Sequence, residues 1–298
     1  MTDPVRQVAD AVLYEGYLLW PYRRSAAKNV KRWTFGGLFP PSHSARHPDD
    51  RSALQAQVLL DADGDPQVEA TVRFLHVVER RLTRDGEPVD ELVVAGERHL
   101  AWTEATEREL VAAVSTPIAI DGGAAVEPLG EGATIIRAWQ PLYGRLELAT
   151  ERLAGRRLRI TARVANETSW AGGDRDDALR RTFCSTHVVL RADRGAFVSA
   201  TEADGCVNEG VWPVLVGDER TMLAAPIILS DYPQVAPESP GDLFDATEID
   251  RLLIQNVLAL TEDEQAEARA TDPRAAEILD RCAALTRGEL LRLHGVMR

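Results

Sequence analysis

Residues 68–78 read VEATVRFLHVV, and this stretch decides the fold class. Its even positions are Val68, Ala70, Val72, Phe74, His76 and Val78, while the odd positions open with Gln67, Glu69, Thr71 and Arg73. A period of two is the mark of a strand with one buried and one wet face. Residues 157–164 repeat it: Leu158, Ile160, Ala162 and Val164 alternate with Arg157, Arg159, Thr161 and Arg163. STHVVLRADRGAFVSA (185–200) predicts two strands joined by a turn at Ala192–Gly195. GVWPVLVGDERTMLAAPIIL (210–229) predicts two more, turning near Gly217-Asp218. No ordered alternation of strands with crossover helices is present, which argues against a parallel doubly wound sheet. The fold class predicted is α+β, mainly β: an antiparallel β-sandwich or barrel-like body with an N-terminal helix and a C-terminal helical region.

Around that body the texture changes. Asp3-Pro4 is a helix start, a capping residue followed by proline at the first helical position, and Trp20-Pro21 is the expected stop. One helix is predicted inside the body, at Trp102–Val114 (WTEATERELVAAV). A proline-rich connector after Pro237 leads to helices with Ile249, Leu252, Leu253 and Val257 on one face and with caps at Thr261 and Asp272. The expected organisation is residues 1–41 as a helix and aromatic-basic arm, 42–236 as the antiparallel body, and 237–298 as a helical region packed on it.

Composition narrows the function classes. The net charge of −13 over 298 residues argues against nucleic-acid binding, which needs a basic surface to displace counterions from phosphate. No apolar run approaches the roughly 20 residues that span a bilayer, and MTDPVRQVADAV lacks the apolar core of a signal peptide. Three cysteines cannot all pair within one chain, which fits a reducing compartment, so a cytoplasmic protein is expected. FGGLF and DGGAAVEPLGEG contain neither GxGxxG nor GxxxxGK[ST], and GxSxG is absent too. No cofactor is expected.

Three groups of residues remain as candidates. Cys184, His187 and Cys206 are soft or borderline ligands that suit zinc or nickel, and Glu209 lies close by in sequence. On a regular strand, however, Cys184 and His187 point to opposite faces. His43 and His47 have i, i+4 spacing but stand in a proline-flanked loop without the HExxH acid, and His76 on an apolar face is expected to be a hydrogen-bonded core histidine. The third group opens the chain. Tyr14, Tyr17, Trp20, Tyr22 and Trp33 surround Arg23, Arg24, Lys28, Lys31 and Arg32, and no acid lies between Tyr22 and Trp33. The first expectation for these rings is packing on the sandwich. Arginine and aromatic residues also anchor interfaces, so Trp20, Tyr22, Arg23, Arg24, Lys28 and Trp33 are the candidate partner-binding set. Their target is an acidic partner or the acidic C-terminal third of the same chain; a single-stranded nucleic acid, which arginine and stacking rings also suit, is a third choice that the net charge disfavours.

VLYEGYLLWPYRRSAAKNVKRWTFGGLFPP (12–41), NEGVWPVLVG (208–217) and APIILSDYPQVAPESPGDLFDATEIDRLLIQNVLALTEDE (225–264) resemble a bacterial family without an assigned reaction. That family is associated with gene clusters of high-affinity nickel–iron uptake hydrogenases. The resemblance implies an accessory, assembly or scaffolding role with hydrogenase subunits as partners, and it carries over no catalytic residue. The alternative expectation is a metal- or small-molecule-handling enzyme acting near Cys184, His187, Cys206 and Glu209. A homodimer is the statistical default for the oligomer.

Overall fold

The computed structural model describes residues 3–19, 21–30, 32–33, 35–234 and 250–286. Strands in chain order are β1 (Ala53–Asp61), β2 (Val68–Arg84), β3 (Glu87–Val89), β4 (Glu91–Val94), β5 (Glu97–Leu100), β6 (Trp102–Ala112), β7 (Thr116–Ile120) and β8 (Gly123–Gly130). They continue with β9 (Ala133–Trp139), β10 (Leu142–Arg152), β11 (Arg157–Asn166), β12 (Phe183–Ala192), β13 (Ala196–Phe197), β14 (Trp212–Val216) and β15 (Asp218–Ala225). Helices are α1 (Pro4–Tyr14), α2 (Pro41–Ser44), α3 (Arg175–Leu179), α4 (Asp250–Leu258), α5 (Glu262–Thr271) and α6 (Pro273–Ala284).

Two antiparallel sheets form a sandwich that does not close into a barrel. The smaller has the order β13-β1-β11-β10-β7. The larger runs β14-β15-β12-β2-β9-β8, with β6 and β3 also paired to β2. Between them lies the main core, where Val72 and Phe74 of β2 meet Ile160 and Val164 of β11 and Val188 and Leu190 of β12. The alternation read in β2 and β11 is therefore what fills the sandwich. The turn at Ala192–Gly195 does not make a hairpin: β12 pairs with β2 and β15, while β13 pairs with β1 in the other sheet. It carries the chain from one layer to the next. β14 and β15 do pair, across Gly217 at φ 75°.

The predicted helix at Trp102–Val114 is replaced by β6, which pairs with β2 in continuous register from Ala70↔Ala112 to Arg80↔Trp102. Its glutamates suit a helix locally, but here they reach arginines of β2, Glu109 from directly opposite Arg73 and Glu104 and Glu107 along the diagonal. Glu104 reaches Arg80 at 2.8 Å, and Glu107 and Glu109 reach Arg73 at 3.2 and 3.3 Å. Cross-strand pairing thus outweighs helix propensity.

The outer face of the larger sheet is covered. α1 starts as expected, with the Asp3 carboxylate accepting from the Val5 amide, but ends at Tyr14, short of Trp20. Its Val5, Val8 and Val12 pack on Val189, Val214 and Leu223. The C-terminal helices and the chain after α1 cover the part around Leu75 and Val77, with Leu253, Ile254, Ile278 and Leu279 packed among Tyr17, Tyr22, Leu75 and Val77. Leu252, expected on the buried face, is 50% exposed and Ile254 takes its place; Ile249 lies outside the described residues. Both predicted caps form, Thr261 in a capping box with Glu264 and Asp272 accepting from the Arg274 amide. Among the described residues no helix is long and apolar enough to cross a membrane.

Candidate functional site

The opening stretch folds inward. Tyr22 is fully buried at φ 60° and Trp33 is 6% exposed at φ 64°, so both rings meet the protein's own core. Positive φ on a bulky aromatic residue is strained, and two such residues bracket the segment. Arg23 pairs with Glu264 at 3.1 Å. The Arg24 guanidinium donates to the carbonyls of Asp90 and Ala101, and its amide donates to Thr271 Oγ1 at 3.1 Å. The Ser25 amide donates to Glu267, and the Tyr17 hydroxyl to Asp272 at 2.6 Å. Lys28 is exposed and Trp20 lies outside the described residues. The acidic surface that the arm meets is that of α5 and the start of α6, one of the targets its charge allowed.

Arg32 is the exception. Its guanidinium is 5% exposed and donates to two carbonyls, Tyr17 at 3.0 Å and Thr103 at 2.6 Å. It lies over the ring of Trp102 at 3.8 Å and near Trp33 at 4.9 Å. Among the described residues no carboxylate touches it. Burial lowers its pKa to about 10. A buried guanidinium without a contacting anion carries a desolvation cost that carbonyls and ring faces offset in part.

This side chain borders a cavity of about 430 Å³ between the arm, β2, β6 and α3. Arg175, Arg180 and Asp176 from α3 and its flank form one wall, Trp33, Val77 and Leu179 give apolar surface, and Asn29, Trp102 and Thr103 complete the lining. The Trp102 indole N–H is buried with no acceptor among the described residues. Arg175 reaches Asp50 at 3.3 Å, and Arg180 reaches Glu79 at 2.9 Å. A second cavity of about 290 Å³, beside the Gly36-Gly37 loop, shares Trp33 and Arg175 with the first. Gly36 has no room for a side chain, since a Cβ there would stand 2.6 Å from Pro226.

The proposed ligand set separates into two places. β12 carries a bulge between Cys184 and His187, with Ser185 at φ 51°. The extra residue brings Cys184 opposite Leu75 and His187 opposite Arg73. Since Leu75 and Arg73 are two apart on β2, Cys184 and His187 share the outer face, contrary to the regular-strand expectation. Cys206, in contrast, lies by Arg159 of β11, and Glu209 bridges to Gln55 of β1, so both belong to the smaller sheet. Among the described residues no three His, Cys, Asp or Glu side chains are placed to hold a metal.

Burial raises the Cys184 thiol to about 12, and burial together with Arg73 pushes His187 down to about 3. Among the described residues His187 Nε2 is buried without a partner, while Nδ1 lies 3.3 Å from the Ser185 carbonyl. Neither group is poised as thiolate or imidazolium. His76 bonds the Gln140 carbonyl at 2.9 Å, as expected of a core histidine. His43 Nε2 bonds Asp50 at 2.9 Å and its ring stacks between Phe39 and His47. The arginines of α3 carried no sequence signal, because a five-residue helix in a loop-rich stretch shows no periodicity.

No known family model matches this chain, and no curated protein is similar to it.

Proposed function

We propose that the protein is a non-catalytic accessory protein that works by binding, in an assembly or scaffolding role around a nickel–iron hydrogenase. The observation that carries the binding part is the cavity under the arm. Its walls offer guanidinium groups, an unused indole N–H and apolar surface, the materials of recognition. The hydrogenase context rests on the resemblance of residues 12–41, 208–217 and 225–264 alone. The same proposal places the protein in the cytoplasm, where its three free cysteines suit a reducing compartment.

The test is affinity capture of the full chain from native cells, with mass spectrometry and elemental analysis of the eluate. Stoichiometric hydrogenase subunits support the reading, and their absence from the eluate overturns it. Arg23→Glu combined with Arg24→Glu is expected to weaken capture. Because both arginines also hold the arm to α5, the melting temperature is read on the same sample.

A second reading, a metal- or small-molecule-handling enzyme, draws on one observation: the β12 bulge puts Cys184 and His187 on one face. A stoichiometric transition metal in the eluate favours it.

A further inference from the structure

We propose that the cavity beneath the arm takes a small organic anion with a flat apolar body, its carboxylate or phosphate facing Arg32, Arg175 and Arg180 and its body against Trp33, Val77 and Leu179. This inference deepens the binding role proposed above by naming the chemistry of the ligand, and it rests on that reading of the cavity.

The charge argument comes first. Three guanidinium groups and one carboxylate, Asp176, border the space. Arg175 has one carboxylate neighbour, Asp50 at 3.3 Å, and Arg180 has two, Glu79 at 2.9 Å and Asp177 at 3.6 Å, yet a guanidinium has five N–H donors in a planar fork, and these contacts do not use all of them. Arg32 has no carboxylate contact among the described residues. An anion entering here would meet donors already fixed in place, with Arg32 held by the Tyr17 and Thr103 carbonyls.

Size and lining separate an organic anion from a bare ion. A space of about 430 Å³ is far larger than a phosphate group needs, and it falls in the range of pockets that enclose small organic molecules. Trp33, Val77 and Leu179 supply the apolar part of the wall. The Trp102 indole N–H, buried and without an acceptor among the described residues, is a further donor that a ligand oxygen would satisfy. A polynucleotide is disfavoured by the net charge of −13.

The full chain is titrated with benzoate, 2-naphthoate and phenyl phosphate by calorimetry, with tryptophan fluorescence as a second readout. Inorganic phosphate and the neutral 2-naphthamide serve as comparisons. Saturable one-site binding of at least one organic anion is expected, with 2-naphthamide about tenfold or more weaker than 2-naphthoate. Arg180→Gln and Arg175→Gln, which leave the Arg32 contacts in place, should each weaken the anion about tenfold at an unchanged melting temperature.

The inference is overturned if none of the three anions binds, if the amide binds as well as its carboxylate, if inorganic phosphate binds as tightly as the organic anions, or if both variants keep full affinity. Capture of hydrogenase subunits is a separate measurement. Intact capture without anion binding removes this inference and leaves the accessory role. Anion binding without capture does the reverse.

Discussion

Lowering the pH should destabilise this protein well before its carboxylates titrate, through two buried histidines. His187 and His76 are held neutral by burial, each beside an arginine, Arg73 and Arg108 respectively, and their pKa values fall from 6.5 to about 3 and about 4. The unfolded chain therefore binds the extra protons once the pH drops below 6.5. Stability is complete above that value and falls as the pH descends toward the folded values. Each histidine contributes a slope approaching about 1.4 kcal/mol per pH unit, so one unit below 6.5 the pair has removed roughly 3 kcal/mol. That is a large part of the ~5–15 kcal/mol typical of a folded domain. Urea unfolding at a series of pH values between about 7.5 and 5.5 reads this directly as a falling midpoint at constant m. His187→Gln and His76→Gln should each remove about half of the slope, whatever they do to absolute stability. A midpoint that stays level across the window, or a slope unchanged in both variants, refutes the reasoning.

Arg80, 8% exposed, donates to the carbonyls of Leu100, Ala270 and Thr271 and pairs with Glu104. Arg80→Leu should cost about 3–5 kcal/mol by stranding three carbonyl acceptors and leaving Glu104 to Arg137 alone, and limited proteolysis should then cut between the body and α5 first. Protection equal to that of the parent chain would count against Arg80 as the tie. Gly144→Ala should destabilise by about 1–3 kcal/mol, because a Cβ there would stand 2.4 Å from the Ala165 carbonyl oxygen and 2.8 Å from the Phe183 ring. An unchanged melting temperature would show that β10 gives way freely. In the native protein a thiol reagent should label Cys206, which is partly exposed, and reach Cys184 and Cys282 only after unfolding. Rapid labelling of all three would show that the cover over the larger sheet opens readily.

Much of the sandwich was legible because alternation reports directly on burial. Leu158, Ile160, Ala162 and Val164 are core positions of β11 for the reason their spacing suggested. The same logic misplaced Arg73, which alternation assigned to a wet face. The outer side of β2 lies under α1, and Arg73 is 1% exposed, neutralised by Asp10, Glu107 and Glu109. A window of sequence cannot see a cover supplied by distant segments. β6 was misread for a related reason, since its glutamates find their arginines across the sheet and not one helical turn away. The bulge at Ser185 left no trace at all, because serine carries none of the preference for positive φ that glycine or asparagine would have signalled. With it went the correct geometry of Cys184 and His187.

The concentration of cations and rings before residue 34 in an acidic chain has a physical explanation in these contacts. Charge asymmetry along a sequence often encodes docking between its own ends, and here the partners are identifiable: Arg23 with Glu264, the Ser25 amide with Glu267, Tyr17 with Asp272. Each contact joins residues more than 200 positions apart, and together they close the arm over the sheet. Arg32 lies outside that pattern, with carbonyls and indole faces where a carboxylate would stand in the rest of the arm. The cavity begins at the point where the intramolecular complementarity is incomplete. A sequence selected only to hold the arm down has no reason to bury a cation there and to line the same cavity with Arg175 and Arg180. Removing the Arg32 charge therefore separates the two roles. If Arg32 serves docking alone, a neutral replacement that keeps its donors should preserve stability and leave nothing else altered; if it serves a ligand, the same replacement should preserve the arm and lose the anion.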